Sequence, residues 1–447
     1  MRQIARLFAL GLMVALFHRL TAPGALEARA TLALGFLLVV APLGGDLAKR
    51  VRLPRITGFL LTGFAVGPAW LGLVRADELA ALGFIADAAV SLIAFAAGTE
   101  LRLRTLRREG VALARVSAAA IAAPFVAVTL VTLSVSRWFP VTVHQPFGDA
   151  VAVALVLGVV AAASSPSLTM AVIAEVGARG RFARSVLGVT VAKDVSVIAL
   201  FALALAVARP LASAGALDVT VARRMLAQLG GSLAVGVVLG YVVAQYLKAV
   251  QRDTVLFLVA LAFVTAEVAR LLGLETMLIA LAAGFYVENS SRVQGERVVT
   301  ALARGSLPVY VLFFALAGAG LGVEGLSALW PWVLLLVGLR ALGLYYGLRW
   351  AGRSPAVTPV LAQYGWLGLI SQAGVTLGLA GVARRAFPEW GVSLETLIVA
   401  MIGVHEVAGP ICFRHALRAR GEVAEGEHVT NGVEARGPGV ALGRRSV

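Results

Sequence analysis

Charged residues are scarce in this sequence. Only 14% of its 447 residues are Asp, Glu, Lys or Arg, and 60% are hydrophobic, whereas soluble domains average about 25% charged residues and roughly half apolar ones. Long apolar runs recur along the chain, with short charged loops and no soluble domain between them. The runs are continuous rather than alternating, which excludes an antiparallel membrane barrel. The composition therefore predicts an all-α polytopic membrane protein.

The sequence has a single cysteine, Cys412, and five histidines. One cysteine excludes a disulfide framework and a cysteine-based metal site. No Ser/His or paired-carboxylate constellation is recognisable at mid-depth of the apolar runs, so we expect a protein that is not an enzyme and that uses no cofactor. The net charge is +15, but the arginines gather in loops. The positive-inside rule explains this distribution better than nucleic-acid binding does.

Thirteen apolar runs have the length of a membrane-spanning helix. A bilayer core about 30 Å thick requires roughly 20 mostly apolar residues per helix. The candidate spans, each good to a few residues at either end, are 28–48, 54–73, 80–98, 112–136, 149–176, 186–208, 225–247, 254–270, 274–288, 307–322, 328–348, 357–383 and 393–416.

Basic residues concentrate in alternate loops, which predicts the orientation of the chain. The pattern places residue 28 outside and the C-terminus in the cytoplasm of a bacterial-type inner (plasma) membrane. We expect a transmembrane domain over 28–417 and a disordered cytoplasmic tail over 418–447, since the tail is polar and rich in glycine. Residues 1–27 are either a signal peptide or an extra, fourteenth helix. Both interpretations leave residue 28 outside, and we favour the helix.

Two spans contain helix-weakening residues at mid-depth. The fifth span includes "AAASSPSLTM" (161–170) and the twelfth includes "LISQAGVTLG" (369–378). Proline removes an amide donor and clashes with the preceding helical turn. Paired discontinuous helices indicate a transport site at the membrane midplane, although simple kinks are an alternative interpretation. The polar or helix-breaking residues of interest are Ser164, Ser165, Pro166 and Gln372.

Several ionisable residues lie inside the apolar spans. A charge at the bilayer centre costs at least about 2.5–3.5 kcal/mol, so such groups usually mark a pathway. Lys193 and Asp194 are adjacent in the middle of the sixth span, and Arg340 is near the middle of the eleventh. Arg340 is either functional or a structural counter-ion of Asp194. Glu406 lies on a pathway or pairs within the bundle. A structural role is the better interpretation for two carboxylates nearer span ends, Asp87 and Glu267.

Five segments resemble, in the same order, the monovalent cation/proton antiporter superfamily. They are "GGDLAKRVRLPRITGFLLTGFAVGP" (44–68), "LGFIADAAVSLIAFAAGTELRLRTLR" (82–107), "SSPSLTMAVIAEVGARGRFARSVLGVTVAKD" (164–194), "TAEVARLLGLETMLIALAAGFYVENS" (265–290) and "HEVAGPICFRHAL" (405–417). The resemblance covers about 28–417, and the second branch, with bacterial sodium/proton and potassium/proton antiporters, looks closest. It implies two inverted repeats whose broken helices, the fifth and twelfth spans, cross at the midplane. It further implies a homodimer in the lipid bilayer, in which a core domain moves against a dimerisation domain in an elevator-like cycle.

The resemblance also implies roles for individual residues. The family's ion-binding carboxylate corresponds to Asp194, and its basic residue in the third-last helix corresponds to Arg340. With Ser164 and Ser165 of the first break, Asp194 is the expected site for transported Na⁺ or K⁺. The sequence departs from the family pattern immediately before this aspartate, where Asp or Asn is usual and Lys193 stands instead.

Lys193 leads to two hypotheses about the mechanism. Protonated Lys193 and Arg340 with ionised Asp194 give the empty site a charge of +1, and a bound cation would raise it to +2 in a low-dielectric cavity, which is costly. Burial and a neighbouring guanidinium favour neutral lysine. If Lys193 releases its proton as the cation binds, exchange is electroneutral and Lys193 is the proton carrier. Alternatively, Lys193 permanently occupies the cation site, and the protein is a non-transporting or anion-handling relative.

Overall fold

The structure, a computed structural model, describes residues 26–51, 53–212, 219–249, 254–290, 308–321, 329–373 and 375–423. This part of the chain is helical and contains no strand. The predicted N-terminal helix or signal peptide and most of the predicted tail lie outside the described residues. The helices are α1 (Leu26–Arg50), α2 (Arg55–Val66), α3 (Ala76–Ala81), α4 (Gly83–Thr99), α5 (Leu103–Ser134), α6 (Phe147–Ala162), α7 (Pro166–Val176), α8 (Arg181–Leu211), α9 (Val219–Ala249), α10 (Thr254–Leu272), α11 (Thr276–Ser290), α12 (Pro308–Ala319), α13 (Trp330–Ala351), α14 (Pro359–Gly368), α15 (Val375–Ala386) and α16 (Gly391–Ala419).

The all-helical architecture is confirmed. Among the described residues, eight helical segments are long and apolar enough to cross a membrane, and each coincides with a predicted span. One of the eight, Phe147–Val176, comprises both α6 and α7. The other five predicted spans coincide with shorter helices, which are α2, α4, α11, α12 and the pair α14–α15. The count of thirteen spans therefore stays a prediction.

The predicted span 54–73 is too long, because α2 ends at Val66. Gly67 is extended, with ψ of 176°, and Pro68 follows it. The proline ring disfavours helical backbone at the residue before it, so the helix cannot continue. The chain then turns back, and the amide of Val74 donates to the carbonyl oxygen of Val66 at 2.9 Å.

Glycines bring several helices into close contact. A Cβ atom at Gly98 of α4 or Gly284 of α11 would overlap a carbonyl oxygen of the opposite helix. Gly343 and Gly347 of α13 lie in the same way against the backbone of α5. Because apolar side chains gain little by leaving lipid, small residues that allow such close packing are the usual basis of helix association in membranes.

Two groups of helices are distinguished by their contacts. In the first helix group (α1–α4 and α9–α12), α11 packs between α4 and α9, and α1 packs on α2. In the second helix group (α5–α8 and α13–α16), α5 packs on α6, α8 and α13, and α15 packs on α16. The groups meet where α8 contacts α9, α7 contacts α4, and α16 contacts α2. Both helix interruptions belong to the second group.

Candidate functional site

The predicted interruption of the fifth span is present, and local chemistry explains it. Helix α6 ends at Ala162 and α7 begins at Pro166, with extended residues between them. Ser165 is the N-cap of α7, and its hydroxyl accepts the amide of Leu168 at 3.3 Å. Pro166 occupies the first helical position, where its missing N–H group has no helical partner to lose. The proline therefore starts a half-helix instead of kinking a continuous one.

The predicted interruption of the twelfth span is also present, and it lies against the first. Helix α14 ends at Gly368 and α15 begins at Val375. The amide of Ser165 donates to the carbonyl oxygen of Ser371 at 2.9 Å, and the Ser164 hydroxyl donates to that of Leu369 at 2.8 Å. Direct hydrogen bonds thus join two segments that are about 200 residues apart in the chain.

The guanidinium group of Arg340 lies where the two interruptions meet. It is completely buried and donates four hydrogen bonds to backbone carbonyl oxygens. Two of the acceptors lie at the C-terminal end of α6: the carbonyl oxygens of Ala161 at 3.0 Å and Ala163 at 2.6 Å. The other two follow α14, Leu369 at 3.0 Å and Ile370 at 2.6 Å. Helix C-termini expose unpaired carbonyls and carry partial negative charge, so one cation stabilises both helix ends.

The interpretation of Arg340 as a direct counter-ion of Asp194 requires correction. Each hydrogen bond of Arg340 within the described chain goes to a backbone carbonyl, and the two side chains form no ion pair there. A guanidinium with five donors in a rigid fork suits several carbonyls better than one distant carboxylate. Gln372 has a related role, since its side-chain amide donates to the carbonyl oxygen of Val160 at 2.7 Å.

Lys193 and Asp194 lie in the middle of α8, and both side chains are buried. The ammonium group of Lys193 donates to the hydroxyl of Ser164 at 2.9 Å. Adjacent helical residues point about 100° apart, and no ion pair joins Lys193 to Asp194 in the described residues. Asp194 Oδ2 is buried and has no hydrogen-bond donor among them. The site thus presents a carboxylate oxygen without a donor on the same helix as the amino group of Lys193, which is bound to Ser164.

The two serines predicted to bind the cation have different surroundings. The hydroxyl of Ser164 lies between Lys193 and the second interruption. The hydroxyl of Ser165 caps α7 and lies 3.0 Å from the hydroxyl of Ser167. The structure therefore brings Ser164, but not Ser165, into hydrogen-bond contact with a charged residue of α8.

Two other candidate carboxylates lie outside the hydrogen-bonded network of this site in the described part of the chain. Glu406 is buried in α16, and its Oε2 atom has no hydrogen-bond partner in the described chain. No hydrogen bond or ion pair there connects it with Lys193, Asp194 or Arg340. Glu267 forms an exposed ion pair with Arg270, one turn away on α10, which agrees with the structural role predicted for it.

Glu275 is a neighbour of the site that the sequence pattern did not predict. It lies between α10 and α11, partly buried, and is close enough to Asp194 for the two like charges to repel. Its amide donates to the hydroxyl of Ser232 on α9 at 2.9 Å. In the sequence it stands at the start of the predicted span 274–288, and nothing there indicates that it lies near Asp194. Within the described residues, no group of three His, Cys, Asp or Glu side chains could hold a metal ion.

Known proteins resemble this chain in sequence and in fold. It is 30% identical over 167 residues to the probable Na⁺/H⁺ antiporter GerT of Bacillus cereus, covering 37% of this chain and 41% of that protein. It is 29% identical over 173 residues to the Na⁺/H⁺-K⁺ antiporter GerN of the same organism, covering 38% and 41%. The matched regions thus span about two-fifths of these relatives.

The fold resembles that of the sodium proton antiporter MjNhaP1 from Methanocaldococcus jannaschii. The TM-score is 0.65 and the identity 16%, over 89% of this chain and 98% of the other. A family profile described as "Sodium/hydrogen exchanger, transmembrane" matches residues 35–414. The match includes both interruptions, Arg340 and the Lys193–Asp194 pair. The chain belongs to the sodium/hydrogen exchanger family.

Proposed function

We propose that this protein exchanges a monovalent cation, Na⁺ or K⁺, for H⁺ across a membrane, with Asp194 as the cation ligand and Lys193 as the proton carrier. One observation carries the proposal. Asp194 presents a buried carboxylate oxygen without a hydrogen-bond donor, next to a lysine whose ammonium contacts only a neutral hydroxyl. A buried anion of this kind is costly unless a cation or a proton joins it.

The charges of the site support one-for-one exchange. Arg340 is bound to four carbonyl oxygens and stays charged throughout. Lys193 has no carboxylate partner, so nothing fixes its proton when a cation approaches Asp194. Loss of that proton keeps the total charge of the three side chains and the ion at +1, and the exchange is electroneutral. Ser164 remains as a polar neighbour of the neutral amine.

The choice between sodium and potassium follows only from the relatives. The printed names of the two Bacillus cereus proteins mention Na⁺/H⁺ exchange in one case and Na⁺/H⁺-K⁺ exchange in the other. Each is similar to this chain over about two-fifths of its length. Both cations are therefore candidate substrates. Glu275 adds negative charge close to Asp194, which favours the approach of either ion.

We infer that the second helix group moves as a unit in an elevator-like cycle. Arg340 and the hydrogen bonds between the interruptions hold α6, α7, α13 and α14 together. The ion site would therefore move together with these helices. The first helix group is then the dimerisation domain of a homodimer, and the two halves of the chain are inverted repeats with crossed interruptions. A bacterial inner membrane with a cytoplasmic C-terminus completes this proposal.

Proton flux in everted membrane vesicles tests the proposed exchange. A pH gradient is established, and its dissipation is followed on addition of Na⁺, K⁺ or Li⁺ to vesicles with wild-type protein, Lys193→Gln or Asp194→Asn. We expect saturable, pH-dependent exchange in the wild type and its loss in both variants. Glu267→Gln, which alters an exposed ion pair on α10, is the matched control and should retain exchange. Gel filtration of each purified variant reports whether it folds.

Two outcomes would change the proposal. Proton-coupled exchange that survives in Lys193→Gln would show that the lysine is not the proton carrier. No flux of any monovalent cation in the wild type, with a gain of exchange in Lys193→Asp, would instead identify Lys193 as a permanent occupant of the cation site.

A further inference from the structure

A cavity of about 330 Å³ opens where the connection between α4 and α5 approaches the start of α8. Its lining residues on α8, which include Arg184 and Ser185, lie in the first turns of that helix, more than two turns before Lys193. Five arginines line it: Arg102, Arg104, Arg108, Arg181 and Arg184. We call this space the arginine cavity.

The carboxylates of the arginine cavity do not balance its positive charge. Two acidic residues, Glu100 and Glu109, are among its lining residues, so five guanidinium groups minus two carboxylates leave an excess of three positive charges. Glu109 is already engaged, because it accepts hydrogen bonds from Arg181 at 2.7 Å and from the Ser185 hydroxyl at 3.2 Å. Arg102 pairs with Glu288, outside the lining, at 2.9 Å.

Arg104 and Arg108 have no ion pair in the described part of the chain. They are four residues apart on α5 and therefore lie on the same face of that helix. Arg184, in the first turn of α8, donates to the carbonyl oxygen of Arg179 at 2.9 Å and keeps further donors. Guanidinium groups from two helices thus line one space without acidic partners of their own.

The positive-inside rule explains why basic residues occur in these loops, but not why they converge around one concavity. Like charges held together destabilise a fold, unless an anion is bound among them. Guanidinium groups present planar forks of N–H donors that match phosphate oxygens bidentately. We propose that the arginine cavity binds a phosphate group, either as free inorganic phosphate or as the head group of an anionic lipid.

The position of the cavity gives a bound phosphate a mechanical effect. Glu100 and Arg102 follow α4 of the first helix group, whereas Arg104, Arg108 and Arg184 belong to helices of the second. A phosphate held between them ties the groups together at this end and slows any movement between them. This last step rests on the proposed exchange function, but the binding itself does not.

Thermal unfolding of the purified full-length protein in neutral detergent tests the binding directly. Inorganic phosphate is titrated at constant ionic strength maintained with KCl, and the Tm is measured. We expect a saturable rise in Tm for the wild type. In Arg104→Gln/Arg108→Gln the half-saturating phosphate concentration should rise about tenfold or more, because two charge-assisted donors are lost. This variant should still fold, since the substitutions relieve repulsion, and its Tm without phosphate reports that.

A matched variant controls for the loss of charge. Arg223→Gln/Arg224→Gln removes two exposed arginines from α9, outside the cavity, and should respond to phosphate as the wild type does. The second probe distinguishes the source of the phosphate. Wild type and Arg104→Gln/Arg108→Gln are reconstituted in phosphatidylcholine with or without phosphatidylglycerol. A Tm rise that needs phosphatidylglycerol and intact arginines, without a response to inorganic phosphate, identifies a lipid head group.

Three results would overturn the proposal. The first is no response to either probe, and the second is an equal response in Arg104→Gln/Arg108→Gln. The third concerns the chain's own carboxylates, because Glu422 accepts the amides of Phe182 and Ala183 at 2.9 Å at the start of α8. If phosphate raises the Tm only of Glu422→Gln, this carboxylate already serves as the anion near the arginines and the native cavity binds no phosphate.

Discussion

The end of α6 and the start of α7 meet in the first interruption, yet their backbone groups are satisfied in opposite ways. The start of α7 uses neighbours in sequence, with Ser165 as cap and Pro166 in the first turn. The end of α6 depends on residues from elsewhere, since Arg340 and Gln372 bind its carbonyls across 177 to 212 positions. A helix start can thus be built locally, whereas these helix ends exist only in the folded protein.

Substitution of Arg340 should have the largest effect, because it removes the distant donors on which both helix ends depend. Arg340→Met takes donors from four buried carbonyl oxygens, and each buried group left unsatisfied costs about 1–3 kcal/mol. We expect a loss of at least about 4 kcal/mol of stability, measured as the Tm of the purified protein. Arg340→Lys should recover less than half of the loss.

Arg349→Met is the control for this experiment. Arg349 lies at the exposed end of the same helix, over the ring of Tyr345, and its substitution should change the Tm little. If Arg340→Met unfolds at the same temperature as Arg349→Met, the carbonyls at both helix ends must be satisfied without the guanidinium.

Substitution of Gln372 should have an intermediate effect. Gln372→Leu leaves the carbonyl oxygen of Val160 without its side-chain donor, at a cost of about 1–3 kcal/mol. Gln363→Leu, on an exposed face of α14, adds the same apolar group and should be nearly neutral. The Tm values of the two variants are compared in parallel. Equal values would mean that the Gln372 amide does not stabilise the interruption.

The smallest effect is expected at the start of α7. Ser165→Ala removes the cap and should cost about 1 kcal/mol. Thr358→Ala, which removes the cap of α14 from Leu361, should cost a similar amount, because both hydroxyls accept one amide. Chemical denaturation can resolve differences of this size. A much larger loss for Ser165→Ala would show that this serine has a role beyond capping.

Local chemistry made part of the site predictable. The serine–proline sequence around Pro166 indicated an interruption, and Ser165 and Pro166 start the half-helix through neighbours in sequence. The cost of charge in a bilayer likewise marks Lys193, Asp194 and Arg340 as buried groups, and all three are buried. The profile match confirms the family that the segment order indicated, and the structural similarity supports the fold.

The partners of those buried groups could not be predicted. Sequence identifies Arg340 as a buried cation, but its acceptors lie 29 to 179 positions away and depend on how α13 packs. Pairing with Asp194 was the alternative that the sequence suggested, and the described residues show no such ion pair. The proximity of Glu275 to Asp194 could not be predicted for the same reason, since only the packing of α9, α10 and α11 brings Glu275 near α8. The turn after Val66, by contrast, shortened α2 through a proline that was visible in the sequence.

The bonds of Arg340 bear on how a transported ion would be hydrated. The carbonyl oxygens at the two helix ends are natural ligands for Na⁺ or K⁺, but a guanidinium group already occupies them and repels a second cation. If Asp194 is the cation ligand, as proposed, an ion bound there cannot use these four carbonyl oxygens to replace its water. We then expect it to keep more of its hydration shell than an ion in a cage of backbone carbonyls would, so discrimination between ions would depend on the room for that water.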